Sequence, residues 1–133
     1  MVCVAVLAAA SVRGAPHRRR NGRVCVRGRD EGQRLGADRL GGELGERATL
    51  VQFSSAFCAP CRATRRILDE VAGLVPGVAH IEIDAEAHLD LVRELAVLRT
   101  PTVLVLDADG RVVRRATGQP RKADVLAALG EAV

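Results

Sequence analysis

The run Thr49-Leu50-Val51-Gln52-Phe53-Ser54-Ser55-Ala56-Phe57-Cys58-Ala59-Pro60-Cys61 decides how this chain is read. Residues 49–54 form a β-rich stretch bounded by polar residues, the pattern of a buried strand. A helical pattern starts directly after the cysteines. Ile67, Leu68, Val71, Leu74 and Val75 recur at the spacing of one apolar stripe. Arg65, Arg66, Asp69 and Glu70 fall off that stripe, toward solvent, and Pro76-Gly77 ends the helix. The two cysteines therefore sit where a strand turns into a helix.

Working outward toward the C-terminus, a second strand is predicted over 78–83. A helix follows over 88–98, with Leu91, Val92 and Leu95 facing inward. Thr102-Val103-Leu104-Val105-Leu106 is continuously apolar after its first residue, as a strand covered on both faces should be. Asp107-Ala108-Asp109-Gly110 reads as a hairpin turn, with a returning strand over 111–117. After Gly118-Gln119-Pro120, a last helix turns Val125, Leu126 and Leu129 inward. The order strand, helix, strand, helix, hairpin, helix specifies an α/β sandwich with a mixed sheet.

The front of the chain differs in character. Residues 1–48 carry a charge balance of +5 and residues 49–133 one of −1, so the basic character belongs to the front. Residues 2–12 are apolar apart from Ser11 and precede Arg13 and His17-Arg18-Arg19-Arg20. As a helix they would reach only about 16 Å, against about 30 Å of bilayer hydrocarbon. They also lack the basic n-region of a secretory signal. The reading is a segment over 1–22 that attaches to a membrane or is the remnant of an anchor. A disordered tail and a cleaved signal are the alternatives. With basic residues only on its C-terminal flank, the positive-inside rule would hold the domain at 23–133 on the cytoplasmic side.

Between the two parts, Arg23-Val24-Cys25-Val26-Arg27 alternates as a short edge strand does. Leu35, Leu40 and Leu44 could line a weak helix over 37–45. The arginine cluster between Arg18 and Arg29 is read as a solvated linker, not as a nucleic-acid surface. Phe53 and Phe57 are the only aromatic residues. A base-stacking platform is thereby excluded, and aromatic-lined grooves for sugars or proline-rich peptides are disfavoured.

Four cysteines are too few to staple a mini-fold, and a domain of this length can bury its own core. The Cys58–Cys61 spacing therefore points to chemistry. At a helix N-terminus, unpaired backbone N–H groups and the macrodipole stabilise a thiolate and lower its pKa. Pro60 fits the first helical turn, where a missing N–H costs nothing, and Arg62 adds positive charge nearby. This placement makes Cys58 the exposed attacker and Cys61, one turn in, the partly buried resolver. Attack gives a mixed disulfide, which Cys61 resolves by closing a Cys58–Cys61 bond. No zinc site is expected, because Cys3, Cys25, His17, His80 and His88 offer no second pair at ligand spacing. Cys3 and Cys25 read as small hydrophobes, and His88, Asp84 and Glu86 as loop or helix-start residues.

Leu50-Val51-Gln52-Phe53 followed by Phe57-Cys58-Ala59-Pro60-Cys61-Arg62 resembles the thioredoxin family. So do Thr100-Pro101-Thr102, the Asp109-Gly110 hairpin and Gly118, in order and at family-like spacing. The resemblance spans about 24–133 and is firm from 49 onward. It implies a thioredoxin-like fold, a central mixed sheet flanked by helices, and a dithiol–disulfide oxidoreductase with no metal or organic cofactor. By the same resemblance Pro101 would be cis against the cysteine pair, and Thr100 would offer backbone hydrogen bonds to a substrate peptide.

Several positions depart from that family's pattern. Phe57 stands in place of a tryptophan and Ala59 in place of a glycine. Gln52 replaces a buried aspartate that helps deprotonate the resolving cysteine, and an amide cannot act as a general base. His80 occupies the place of the family's buried lysine, where it either transfers that proton or is a hydrogen-bonded core or rim histidine.

The expected activity is reduction of protein disulfides by a monomer, with electrons from a reductase or another dithiol. The alternatives are an extracytoplasmic thiol protein, serving cytochrome maturation or oxidation, and a binding module with the fold but little exchange.

Overall fold

The computed structural model describes residues 24–25 and 33–133. The segment over 2–12, Cys3, and the rest of the arginine-rich linker lie outside the described residues, as does the expected boundary at 22–23. The elements in order are β1 (Val24–Cys25), α1 (Ala37–Leu40), β2 (Ala48–Ser54), α2 (Ala59–Leu74), β3 (Val78–Asp84), α3 (Leu89–Glu94), β4 (Thr102–Asp107), β5 (Val112–Thr117) and α4 (Lys122–Ala132). They form one five-stranded mixed sheet in the order β1-β5-β4-β2-β3. β2 runs parallel to β3 and antiparallel to β4, while β5 is antiparallel to both β4 and β1. Among the described residues, no helix is long and apolar enough to cross a membrane.

Every residue of β2 is buried because helices cover both faces of the sheet. Alternation assigns the faces. Val51 and Phe53 join Ile81, Ile83, Leu91 and Leu104 in the core beneath α1 and α3. Ala48 and Leu50 join Leu68, Val71, Val103 and Val125 in the core beneath α2 and α4. The even positions of β2, Gln52 among them, thus face α2. His80 and Glu82 of β3 face the same way.

All four helices differ in some respect from the sequence reading. The helix expected over 37–45 stops at Leu40, because Gly41 takes a left-handed conformation at φ 71°. Leu35 and Leu44 still pack on the core, from outside the helix. The helix expected over 88–98 is only Leu89–Glu94. Ala96 turns left-handed at φ 51°, and the buried Arg115 guanidinium donates to the carbonyls of Leu95 and Ala96. Leu98, past that stop, is 92% exposed. On the longer helices, Leu74 and Leu126 are exposed, and Ala128 takes the inward place on α4.

Candidate active site

β2 and α2 build the site between them. Cys58 is the N-cap of α2, with Pro60 in the first turn. Its sulfur accepts from the Cys61 backbone N–H at 3.2 Å, one of the donors a helix start leaves unpaired. The Cys58 carbonyl accepts from Arg62 N at 3.3 Å, and the Pro60 carbonyl from Thr64 Oγ1 at 2.7 Å. Cys58 and Cys61 are joined as a disulfide, with Cα atoms 5.2 Å apart. Cys61 is 2% exposed and Cys58 half-buried, so an incoming thiol reaches Cys58 more readily. Phe57 is fully exposed with φ 58°, and Ala59, Pro60 and Arg62 are exposed beside the pair.

Below the pair, polar residues from three elements meet. Gln52, fully buried, donates from Nε2 to the Cys61 carbonyl at 2.8 Å and to Ser54 Oγ at 2.9 Å. Its Oε1 faces His80 Nε2 at 3.1 Å. His80 Nδ1 lies 2.6 Å from Asp69 Oδ1 of α2. The strands thus bring His80 to Gln52, and Gln52 to the backbone of Cys61. Beside this line, Arg65 grips Glu82 through two bonds at 2.5 and 2.7 Å.

On the other side, the Thr100–Pro101 peptide is cis and Pro101 is buried. The Pro101 carbonyl accepts from Gly118 N at 2.8 Å. Thr100 Oγ1 lies 2.7 Å from Ser55 Oγ, which belongs to the loop leading to Cys58. Thr100 also borders a shallow groove of about 260 Å³, whose walls include the exposed Leu89 and Leu98.

A thioredoxin family model matches residues 43–131, which take in this whole arrangement. The chain belongs to the thioredoxin family. The thioredoxin of Mycolicibacterium smegmatis is 34% identical over 87 residues, 63% of this chain and 77% of that protein. Two solved thioredoxins share the fold. A variant from Halobacterium salinarum NRC-1 has a TM-score of 0.60 at 20% identity, covering 65% of this chain and 75% of its own. That of Fasciola hepatica has a TM-score of 0.59 at 21% identity, covering 67% and 84%. Together with the cysteine pair at disulfide distance, membership makes this thioredoxin-family protein a thiol-disulfide oxidoreductase.

Asp69 and Ser55 of this thioredoxin-family site were missed in the sequence. Asp69 reads as a solvent residue of α2, and at 65% side-chain exposure it is one, yet it also reaches His80. The available signal was parity: Gln52 and His80 lie on the α2 face of adjacent strands and need a polar partner from that helix. Cys25 lies in edge strand β1, away from the pair in the strand order. His88 stands at the N-cap position of α3, and its Nδ1 lies 3.0 Å from the Asp84 carbonyl oxygen at the end of β3. Among the described residues, no three His, Cys, Asp or Glu side chains gather as metal ligands.

Proposed function

We propose that this protein reduces disulfides in other proteins, with Cys58 as nucleophile and Cys61 as resolver. The observation that carries this reading is the contrast between a half-buried Cys58 at the helix N-cap and a buried Cys61 one turn in. The Cys58 thiolate attacks a client disulfide and releases one client thiol. Cys61 then displaces the second, and the protein is left with the Cys58–Cys61 disulfide. A reductase or another dithiol returns two electrons and two protons to the pair.

Client segments would lie against Thr100 and Pro101, over the groove that Leu89 and Leu98 border. Phe57, Ala59, Pro60 and Arg62 shape the rim and set the reactivity of Cys58. The protein acts as a monomer on the cytoplasmic side of a membrane, attached through residues 2–12.

The test is the reduction potential of the pair, read by thiol–disulfide titration with an alkylating mass tag in a Cys3→Ser, Cys25→Ser background. A value near about −270 mV supports a reductase. One near about −120 mV makes the protein an oxidant acting outside the cytoplasm. A pair that does not titrate reversibly leaves a binding module.

A further inference from the structure

The hydrogen bonds beneath Cys61 constrain the roles open to the two ring nitrogens of His80. The Cys61 carbonyl can only accept, so Gln52 turns its Nε2 toward it, and Ser54 Oγ takes the second proton. Gln52 Oε1 is then left facing His80 Nε2 at 3.1 Å, and an amide oxygen also only accepts. The other ring nitrogen faces the Asp69 carboxylate at 2.6 Å. For both contacts to be hydrogen bonds, both ring nitrogens have to donate, as only the doubly protonated imidazolium can. Its side chain is 8% exposed, with the buried Gln52 on one side and the solvent-facing Asp69 on the other.

We propose that His80, as an imidazolium anchored by Asp69, is a positioning residue for Cys61 and not the base that takes its proton. The inference rests on the reading of Cys61 as resolver. A ring that donates from both nitrogens has no lone pair to offer a thiol. Instead it holds Oε1 of Gln52, and through the amide it aims and polarises the N–H bonded to the Cys61 carbonyl. The Cys61 backbone, and with it the direction of its sulfur toward Cys58, is fixed from below.

In the resolving step the Cys61 thiol gives its proton to water. Its sulfur bonds to the Cys58 sulfur as the Cys58–client bond breaks. The electron pair leaves on the client sulfur, which takes a proton from water. The two protein cysteines are oxidised and the client disulfide is reduced.

The charged groups around the ring are Asp69 and Arg65 from α2, with Glu82 on the ring's own strand holding Arg65. β2 contributes only the neutral Gln52 and Ser54. Deprotonation of the ring breaks one end of the line, whichever nitrogen loses its proton.

The experiment uses the full chain with Cys3 and Cys25 changed to serine, reduced and mixed with an aryl disulfide that releases a coloured thiol. The first phase depends on reagent concentration and reports Cys58. The second is intramolecular and reports Cys61. His80→Ala is expected to slow the second phase by about tenfold, the size of one charge-assisted hydrogen bond. His80→Lys, which keeps a charged donor, should restore most of the rate at neutral pH. As pH rises, wild type should slow relative to His80→Lys. In a Gln52→Leu background, His80→Ala should change nothing further.

A His80→Lys variant as slow as His80→Ala would overturn the proposal in favour of a base, and so would additive effects in the cycle with Gln52→Leu. An unchanged second phase in His80→Ala would overturn it as well. If His80→Ala does not fold by far-ultraviolet circular dichroism, the comparison of His80→Lys with wild type across pH decides. Absence of both phases in the parent protein would instead remove the dithiol reading itself.

Discussion

Ser55 Oγ and Thr100 Oγ1 stand 2.7 Å apart, tying the loop that leads into Cys58 to the residue that precedes cis-Pro101. The two segments are far apart in sequence, and this bond joins the loop before Cys58 to the segment that holds cis-Pro101. Ser55→Ala leaves the half-buried Thr100 hydroxyl without that partner. It should lower stability by about 1 kcal/mol, the net worth of a typical hydrogen bond. If Thr100 helps to hold a client, kcat/KM for client reduction should also fall, while the reduction potential of the pair stays put. Urea unfolding followed by circular dichroism, together with steady-state reduction of a disulfide-bonded protein, separates the two effects. An unaltered kcat/KM would remove Thr100 from client binding.

The unequal burial of the two cysteines predicts unequal mutant phenotypes. Cys58→Ser should abolish exchange, because Cys61, at 2% exposure, is not reached by a protein disulfide. Cys61→Ser should still attack but not resolve, so it accumulates a mixed disulfide with the client. Intact-mass measurement after mixing with client checks both. A stable adduct on Cys58→Ser in place of Cys61→Ser would reverse the roles.

Two glycines should respond to alanine with opposite signs. A Cβ on Gly45 would meet Ala48 O at 2.1 Å, Gly77 O at 2.6 Å and Ala79 N at 2.7 Å, all backbone atoms that cannot swing aside. Gly45→Ala should therefore cost about 2 kcal/mol or more, as overpacking does. Gly73 lies on α2 with nothing within 4 Å of its Cβ position. Gly73→Ala should stabilise by about 0.5–1 kcal/mol through helix propensity. Thermal melts followed by circular dichroism suffice, since the chain has neither tryptophan nor tyrosine.

The loop after α3 is held by a residue twenty positions away. Arg115 of β5 donates to the carbonyls of Leu95 and Ala96, and Ala96 is held at φ 51°. Arg115→Met leaves those carbonyls without that donor and should cost about 2–3 kcal/mol. Ala96→Gly should stabilise by about 1 kcal/mol, because glycine adopts a left-handed backbone without the Cβ penalty. Urea midpoints of both variants test this. A destabilised Ala96→Gly would mean that backbone entropy outweighs strain there.

These residues also mark what the sequence could convey. β2, the cysteine pair and α2 were legible because their signals are local: an apolar run, a proline in the first helical turn, a stripe of period 3.6. β4 was equally clear, because burial on both faces leaves an unbroken apolar run at residues 103–106. The end of α3 was not. Its apolar spacing continues to Leu98, and the groups that stop it, Arg115 and a left-handed Ala96, give no local sign. Leu74 and Leu126 were misplaced because periodicity fixes a stripe but not how far the opposing surface extends. In the site, Gln52 and His80 stood out through the family resemblance, at the places of its buried aspartate and lysine. Asp69 did not, since a carboxylate on an exposed helix face looks the same with or without a partner across the gap.

Arg39 and Glu94 offer a pH-dependent test of the packing of α1 against α3. Arg39 Nη1 donates to Glu94 Oε1 at 3.1 Å, and Nη2 to the second carboxylate oxygen, making a fork between the two short helices. The bond from Arg39, with its charge, holds the Glu94 carboxyl below the usual glutamate range. For a carboxylate lowered on folding, the linked stability is complete above its unfolded value and is lost as pH falls through the folded one. Both side chains are substantially exposed, so salt should weaken the effect and its share of global stability is small. The sharper readout is local. Carboxyl carbon NMR should show Glu94 titrating lower than an ordinary glutamate, and Arg39→Gln should raise it toward the ordinary range. Added salt should shift the wild-type midpoint upward and leave the variant almost unmoved. A Glu94 midpoint identical in the two proteins would mean that the fork does not persist in solution, and that α1 is held through Leu40 alone.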